Sequence, residues 1–480
     1  MKRHLPFLLL LVVFSFLYFR TTSSHGGFVW DEAEYAVLAR NIARGEAYES
    51  SFRPPLVPLT VAAFLTATGE TQEAALKTPI VLFALLGLSL VYGFVNRRFD
   101  TTTGLAAAGF LGLAPCFWLH TSYLLTEVPF LVLFCGACFC FMEGLYGEEK
   151  WFYLAWLFTG LTFITRYTCV LLGPIFVLFL ILGALLDGEA VKKKLKSKTF
   201  WLAPFVGLLV QFPWLVRQQS QYGDFLKGFK YASGQLQAYV PGVEMPAYYY
   251  LAELPSMLTW PGLVFTLGGL FWSLGRKNKF ALHTTLVIAF LLLWFSAYRY
   301  KETRLVTAIL PFLAVTAGLG YGQILPKAWK GFSNRWMTLL CLGALTVLSM
   351  RQTIPVFQNS HALGYPSLKN ALKEGQQYFG PGTVLMSAPL PQTRWYSDRR
   401  TVGFPEKEAD FAAKLNEVNF VLVVNYERGQ PEYVARLVST LFPEPAQESK
   451  KYLLFIDRFG QATFMTSAEE FRLRLHNSGS

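Results

Sequence analysis

Long apolar runs separated by short polar connections dominate the first 350 positions of the chain. A helix needs roughly 20 apolar residues to cross the hydrocarbon core of a membrane, and the runs approach that length. We place eleven spans near residues 5–19, 77–95, 102–117, 127–145, 151–165, 168–186, 200–217, 258–274, 280–297, 305–323 and 336–350. The pattern predicts a mainly α fold, a polytopic bundle of transmembrane helices.

Basic residues concentrate in alternate connections between these runs. With a cytoplasmic N-terminus, every inside loop is basic, as the positive-inside rule requires. These loops contain Arg97 and Arg98, Lys150, Lys192 to Lys198, Arg276 to Lys279, and Lys327 to Arg335. The arrangement predicts a multi-pass plasma-membrane protein. The Asp31 loop, the Glu127 loop, the Lys301 loop and everything after Met350 are then extracytoplasmic.

Composition agrees with this class, since 53% of residues are hydrophobic and only 15% are charged. The net charge of +12 alone could suggest nucleic acid as a partner. Its basic residues lie in topology-determining loops, however, so we expect no nucleic acid. The first apolar run lacks a small-x-small cleavage site after it, so we expect an uncleaved first span rather than a signal peptide.

The character of the chain changes after Met350. Helical patterns lie near residues 367–379, 406–417 and 431–441, and strand-like runs near 383–386, 419–424 and 452–456. These alternating elements predict a small extracytoplasmic α/β domain. We therefore divide the chain into a transmembrane domain, 1–350, with a functional first outer loop, 20–76, and a C-terminal domain, 351–480.

The first outer loop combines an acidic patch with a later basic residue. Asp31, Glu32 and Glu34 open an amphipathic stretch that runs to Gly45. Asp31 and Glu34 also fit a helix-capping box, and the two interpretations stay open on this pattern alone. Arg53 precedes two prolines, where it can either bind a lipid phosphate or snorkel to headgroups.

Two further outer segments carry charge beside predicted spans. Glu127 begins a span after Thr126, which could cap the helix, but a carboxylate at a membrane edge is a functional hypothesis by default. Lys301, Glu302 and Arg304 form the densest outer cluster. Positive-inside logic disfavours bases there, so anion binding is favoured over snorkelling or a Lys301–Glu302 surface pair.

Together these motifs resemble the GT-C glycosyltransferases, within which the chain is most similar to the protein O-mannosyltransferase and aminoarabinose transferase group. The resemblance rests on Trp30-Asp31-Glu32-Ala33-Glu34-Tyr35, Arg53-Pro54-Pro55-Leu56, Thr126-Glu127-Val128-Pro129, and Lys301-Glu302-x-Arg304 with Leu310-Pro311. It implies transfer of a sugar, with inversion, from a polyprenyl- or dolichyl-phosphate donor to a protein, lipid or glycan acceptor. The transfer would take place on the extracytoplasmic face.

The resemblance also implies roles for individual residues. Asp31, with Glu32 completing the pair, corresponds to the first-loop acid of the family and Glu127 to its second-loop acid. Arg53 corresponds to a basic residue that is Lys in many relatives. Arg166, Lys301 and Arg304 are further candidates for binding the donor phosphate.

These residue types suit the implied reaction. A carboxylate can take the proton of an acceptor hydroxyl as it attacks, a role that we assign to Asp31. Cations stabilise the departing lipid phosphate. Family members differ in metal use, so a divalent metal held by Asp31 and Glu127 stays open, and no other cofactor is assigned. The alternative function is a transporter or flippase of lipid-linked sugars, although the polar residues lie in outer loops rather than at mid-membrane.

Overall fold

The computed structural model describes residues 4–22, 27–237, 244–328, 335–360, 364–427, 430–443, 452–456 and 460–477. Contacts between residues divide the chain into two compact units. Unit 1 comprises Met1–Ser23 and Ile42–Phe357, and unit 2 comprises Ser24–Asn41 and Gln358–Ser480. The predicted boundary between residues 350 and 351 stays a prediction.

Helices form most of the described residues up to residue 360. In chain order they are α1 (Leu5–Thr22), α2 (Trp30–Ala43), α3 (Leu56–Thr68), α4 (Glu73–Leu76), α5 (Thr78–Arg98), α6 (Thr101–Leu113), α7 (Pro115–Thr121), α8 (Glu127–Tyr146), α9 (Trp151–Phe163), α10 (Leu172–Leu195), α11 (Lys198–Tyr222), α12 (Lys227–Gln237), α13 (Tyr249–Leu258), α14 (Trp260–Arg276), α15 (Lys279–Ser296), α16 (Leu310–Ala328) and α17 (Arg335–Ser360). Two 3-10 helices, Tyr167–Leu171 and Thr303–Ile309, directly precede α10 and α16.

The predicted helical membrane fold is confirmed, but the count of eleven spans is not. Among the described residues, seven helices are long and apolar enough to cross a membrane, or nine if each of two bent pairs forms one span. The α6–α7 pair bends by 64° at Pro115, which disfavours helical geometry at the preceding residue. The α13–α14 pair bends by 115° at Thr259, which has a positive φ of 72°. The apolar parts of α9 and α17 are shorter than a full span.

Small residues allow the central helices of unit 1 to pack closely. A Cβ atom on Gly269 of α14 would lie 1.8 Å from the backbone oxygen of Thr316 on α16, and one on Gly320 would lie 2.0 Å from that of Phe265. The Thr266 hydroxyl donates to the backbone oxygen of Leu313 across the same seam, at 3.3 Å. Membrane helices associate through such contacts because lipid supplies no hydrophobic driving force between them.

Charged residues at the C-terminal end of α8 pair with the connections predicted to face the cytoplasm. The guanidinium of Arg98 bonds the buried carboxylate of Glu143, and Arg97 lies 3.5 Å from it. Lys194 lies 3.6 Å from Glu149 in the same region. A hydrogen bond from Ser197, together with the charge of Lys194, lowers the pKa of the Glu149 carboxyl. Basic residues that were predicted to act as topology signals thus also hold helix ends together.

Unit 2 contains a five-stranded mixed sheet, as the predicted α/β class requires. The strands are β1 (Val384–Met386), β2 (Arg400–Val402), β3 (Phe420–Val424), β4 (Tyr452–Ile456) and β5 (Ala462–Ser467), in the order β2-β1-β3-β5-β4. β1 is parallel to β2 and β3, whereas β5 is antiparallel to β3 and β4. The helices are α18 (Pro366–Gly375), α19 (Leu390–Ser397), α20 (Phe411–Lys414), α21 (Glu432–Leu441) and α22 (Ala468–Asn477), with 3-10 turns at Gln376–Tyr378, Glu408–Asp410 and Leu415–Glu417.

Hydrophobic cores cover both faces of this sheet. Alternate residues of β3 point to opposite sides, so that Val421 and Val423 join one cluster while Leu422 and Val424 join the other. Phe471 of α22 packs in the first cluster. Because β3 is buried on both faces, its sequence is a continuous run of apolar residues.

The first part of α2 packs with the C-terminal residues in unit 2. The backbone N–H of Phe28 donates to the Tyr396 hydroxyl at 2.8 Å. Arg40 donates to the backbone oxygens of Arg394 and Trp395, and lies 3.3 Å from Asp398. Residues 28–40 of the predicted first outer loop are therefore bonded to C-terminal residues within unit 2.

Candidate active site

Glu127 and Arg166 form a largely buried ion pair in unit 1. Glu127 is the first residue of α8, and Thr126 makes no side-chain cap bond to this helix. Arg166 has an extended backbone between α9 and the 3-10 helix that precedes α10. Its Nη1 atom lies 3.0 Å from Oε1 of Glu127, with the two side chains 21% and 4% exposed. The structure thus brings together Glu127 and Arg166, which the sequence analysis proposed as site residues independently of each other.

His120 and Arg304 belong to the same neighbourhood. The charges of Glu127, Arg166 and Arg304 all interact electrostatically with the His120 side chain. His120 lies near the end of α7 and is 8% exposed. Arg304 is the second residue of the 3-10 helix Thr303–Ile309, which contacts both α7 and α8. Two of the predicted phosphate-binding cations therefore lie near one carboxylate and one imidazole.

Glu302 pairs with Arg304 in the structure, and not with Lys301 as the surface pair considered from the sequence would require. Glu302 accepts hydrogen bonds from Arg304 and from the Tyr300 hydroxyl. Lys301 is buried, and its ammonium donates to the backbone oxygens of Met245, at 3.0 Å, and Tyr298. Burial, together with the hydrogen bond to Glu302, raises the pKa of Tyr300 to about 12.

The Arg53 segment packs against the end of α11. Arg217 donates to the backbone oxygens of Tyr48 and Ser50, and Gln218 donates to that of Ser51 at 2.9 Å. The aromatic rings of Phe52 and Tyr231 pack against each other on the same segment, with centroids 4.8 Å apart.

This segment also connects to the Arg166 region. The N–H of Leu56, three residues after Arg53, donates to the backbone oxygen of Ile164 at 2.9 Å, two residues before Arg166. Arg53 itself is partly buried, and its guanidinium lies 4.8 Å from the ring centroid of Phe52. The part of the first outer loop around Arg53 and Leu56 is thus anchored close to Arg166 within unit 1.

The acidic patch lies at the start of α2, within unit 2. Glu32 is fully buried, and its carboxylate accepts from the N–H of Val29 at 3.0 Å. Val29 also supplies the first helical acceptor, to Ala33, so the reach-back bond of a capping box is made by Glu32. The capping box predicted from the sequence had Asp31 as the N-cap residue and Glu34 as the partner. In the structure these positions are taken by Val29 and Glu32. Asp31 is half-buried in the first turn.

Three residues of this region were missed by sequence reasoning. Lys77 is buried, and its ammonium lies 5.8 Å from the ring centroid of Tyr123. His120 and Arg217 are the other two. Lys77 and His120 are titratable residues at the ends of apolar runs, which is a signal that could have identified them. No pattern in the sequence around Arg217 could have identified it, because its hydrogen-bond partners are more than 160 residues away in sequence.

The residues described in the structure do not fit a metal site. None of them form a group of three or more His, Cys, Asp or Glu side chains that could hold a metal ion. Glu127, one of the two candidate ligands, is instead paired with Arg166. We therefore derive no chemical step through a metal.

Comparison with known proteins supports the resemblance seen in the sequence. A family model described as dolichyl-phosphate-mannose-protein mannosyltransferase matches residues 52–216. No curated protein matches the chain by sequence.

Solved structures match over nearly the whole chain. ArnT from Cupriavidus metallidurans bound to undecaprenyl phosphate has a TM-score of 0.72 at 12% identity, covering 96% of this chain and 98% of that one. The oligosaccharyltransferase AglB from Archaeoglobus fulgidus, in complex with an inhibitory peptide and a dolichol-phosphate, has a TM-score of 0.60 at 10% identity, covering 95% and 74%. The arabinofuranosyltransferase AftD from Mycobacteria has a TM-score of 0.51 at 13% identity, covering 95% and 40%.

These matches confirm the predicted GT-C fold over 96% of the chain, and they confirm the resemblance in sequence to the mannosyltransferase family model over residues 52–216. With its apolar helices, the chain is an integral multi-pass membrane protein.

Proposed function

We propose that this GT-C-fold protein is an inverting glycosyltransferase that takes a sugar from a polyprenyl- or dolichyl-phosphate donor. The observation that carries the proposal is the group formed by Glu127, Arg166, Arg304 and His120 in unit 1. Buried or partly buried cations beside a carboxylate suit a substrate that combines an anionic phosphate with a polar sugar. The solved structures of similar fold with bound undecaprenyl phosphate and dolichol-phosphate support the same donor class.

The donor phosphate is bound by arginines in this proposal. Arg166 and Arg304 offer planar guanidinium groups, which suit phosphate oxygens geometrically. Arg53 would add a third on the segment anchored beside Arg166. Lys301 contributes indirectly, because its ammonium already donates to two backbone oxygens that shape the loop before Arg304.

The transfer itself is a single displacement. The acceptor hydroxyl oxygen attacks the anomeric carbon while the bond from that carbon to the phosphate oxygen breaks. The hydroxyl proton passes to the Asp31 carboxylate, and the lipid phosphate leaves with the bonding electrons. Glu32 holds the start of the helix that carries Asp31, and Glu127 orients the acceptor. Inversion follows because no covalent sugar intermediate forms.

The acceptor is a hydroxyl group of a protein, a lipid or a glycan, and the reaction takes place on the extracytoplasmic face of the plasma membrane. The basic connections predicted to be cytoplasmic support this orientation, because Arg98 and Lys194 cluster near the C-terminal end of α8, whereas the proposed site lies at its N-terminal end.

Reconstituted protein tests this function. Purified protein in lipid nanodiscs would be supplied with a panel of polyprenyl-phosphate sugars and hydroxyl acceptors, and release of free polyprenyl phosphate would be measured. We expect Asp31→Asn to lower turnover by about 100-fold or more, because general-base catalysis contributes about that factor. Glu34→Gln is the matched control on the same helix, with an expected change of about twofold or less.

Two results would contradict the proposal. Full transfer by the Asp31→Asn variant would remove Asp31 as the base. A wild-type protein that moves lipid-linked sugars across vesicle membranes without releasing polyprenyl phosphate would be a transporter instead.

A further inference from the structure

His120 differs from the other histidines described in unit 1. His4 bonds the Tyr92 hydroxyl at 2.7 Å through Nδ1. The two ring nitrogens of His283, which is fully buried, lie 2.6 Å from the backbone oxygen of Lys279 and 3.1 Å from that of Phe179. His120 is more than nine-tenths buried, yet its Nδ1 atom has no hydrogen-bond partner among the residues that the structure describes. Buried polar atoms in proteins are nearly always paired, so a missing partner points to a ligand.

The surroundings of His120 indicate what kind of ligand this is. The imidazole experiences the charges of Arg166 and Arg304 as well as that of Glu127. α7 contacts α8 and the Thr303–Ile309 helix, which carry Glu127 and Arg304, so His120 lies on a helix next to two elements of the proposed site. A group that approaches both arginines is an anion, and the tetrahedral oxygens of a phosphate can accept hydrogen bonds from several directions.

The local backbone places His120 at this position. α6 ends at Leu113, and the chain bends by 64° before α7 begins at Pro115. A straight continuation of α6 would carry residue 120 along a different axis. The bend therefore brings a polar residue from an otherwise apolar helix beside Glu127 and Arg166.

We propose that His120 is a substrate-binding residue whose Nδ1–H donates a hydrogen bond to a phosphate oxygen of the lipid donor. This inference rests on the proposed function and adds a residue to its donor site. Arginines supply most of the charge, and His120 supplies one directed bond that fixes the orientation of the phosphate. Removal of that bond should weaken binding of the lipid phosphate even when no sugar is attached.

The test measures binding of undecaprenyl phosphate, a probe that carries no sugar, to the purified full-length protein. His120→Phe keeps the ring volume but removes both nitrogens, whereas His120→Asn retains an amide nitrogen close to the Nδ1 position. We expect His120→Phe to bind the probe about 10-fold to 100-fold more weakly, the factor for a hydrogen bond to a charged group. His120→Asn should bind within about threefold of the wild type. His283→Phe is the matched control, which should lower the unfolding temperature but keep the affinity for the probe.

The outcomes separate this inference from the proposed function. If His120→Phe binds undecaprenyl phosphate as tightly as the wild type while transfer continues, His120 does not bind the phosphate, and the glycosyltransferase proposal stands. If His120→Asn is as weak as His120→Phe, the residue acts through packing and the inference is wrong. If the folded wild type does not bind the probe at all, both the donor class and the inference are wrong.

Discussion

Substitutions at Glu127 and at Arg166 should change the affinity for a lipid phosphate in opposite directions. Glu127→Gln removes the carboxylate that occupies the Arg166 guanidinium, so a phosphate no longer competes for it. We expect the affinity for undecaprenyl phosphate to stay equal or rise by up to about tenfold, while sugar transfer falls. Arg166→Gln removes a cation from the donor site and should weaken binding by about 10-fold to 100-fold.

The structure sets the size of the accompanying stability change. At the 3.0 Å separation of Nη1 and Oε1, and with an effective dielectric constant of about 20, the direct attraction is about 5.5 kcal/mol. Desolvation of both groups offsets much of it. Arg166 is about one-fifth exposed, so water partly compensates the group that is left behind. We therefore expect either single variant to lose about 2–3 kcal/mol of unfolding free energy. Removing one partner of a fully buried ion pair costs about 3–5 kcal/mol, so this loss is slightly smaller.

A double-mutant cycle measures the coupling. Tryptophan fluorescence during chemical unfolding would give the stability of the wild type, both single variants and the Glu127→Gln/Arg166→Gln double variant. The double variant should lose about 1–3 kcal/mol less than the sum of the single losses, as residues in direct contact do. Undecaprenyl phosphate affinity would be measured on the same four proteins.

Two results would refute this reasoning. Strictly additive losses of stability would mean that the two charges are not coupled in the membrane protein. Equal weakening of undecaprenyl phosphate binding by Glu127→Gln and Arg166→Gln would mean that Glu127 supports the donor site rather than competing with the phosphate for Arg166.

The close packing of α14 against α16 at Gly269, and the contact of Arg217 with the Arg53 segment, give two more tests. Gly269→Ala places a methyl group 1.8 Å from a backbone oxygen of α16 and should lower the unfolding free energy by about 1–3 kcal/mol. Gly275→Ala on the same helix, with no described atom within 4 Å, should be neutral or stabilise by about 0.5 kcal/mol, and equal stabilities of the two variants would contradict the seam. Arg217→Gln removes support from the backbone of Tyr48 and Ser50 and should raise KM for the donor severalfold with kcat nearly unchanged. A loss confined to kcat would show that the contact does not position the donor.

Local properties of the sequence account for the part of the fold that was predicted. Apolar length identified the long helices of the bundle, since crossing a membrane requires a long apolar segment. β3 and β4 were recognised because Phe420–Val424 and Tyr452–Ile456 are continuous apolar runs. β2 and β5 were missed because Arg400–Val402 is short and Ala462–Ser467 mixes polar with apolar residues. Those two strands are specified by pairing with neighbours rather than by their own composition.

The predicted count of eleven spans was not confirmed for a similar reason. Hydrophobicity alone does not distinguish a straight helix from a bent pair such as α6 and α7. Nor does it decide whether a short apolar helix such as α9 crosses the membrane. Both depend on the direction of the helix axis, which is set by packing against neighbouring helices.

The sequence by itself determined the residue types available for chemistry, including the carboxylates of Asp31 and Glu127 and the cations of Arg53 and Arg304. It did so because charged residues beside apolar spans are costly and therefore conspicuous. The tertiary structure alone decided the partner of each charge.

Glu302 thus pairs with Arg304 and not with Lys301, and Glu127 pairs with Arg166 across 39 positions of sequence. The same is true of His120, which has no charged residue within six positions in sequence but lies near the charges of Glu127, Arg166 and Arg304 in the fold. The reason is physical, because side-chain interactions act over a few ångströms, and only the folded backbone brings distant positions within that range.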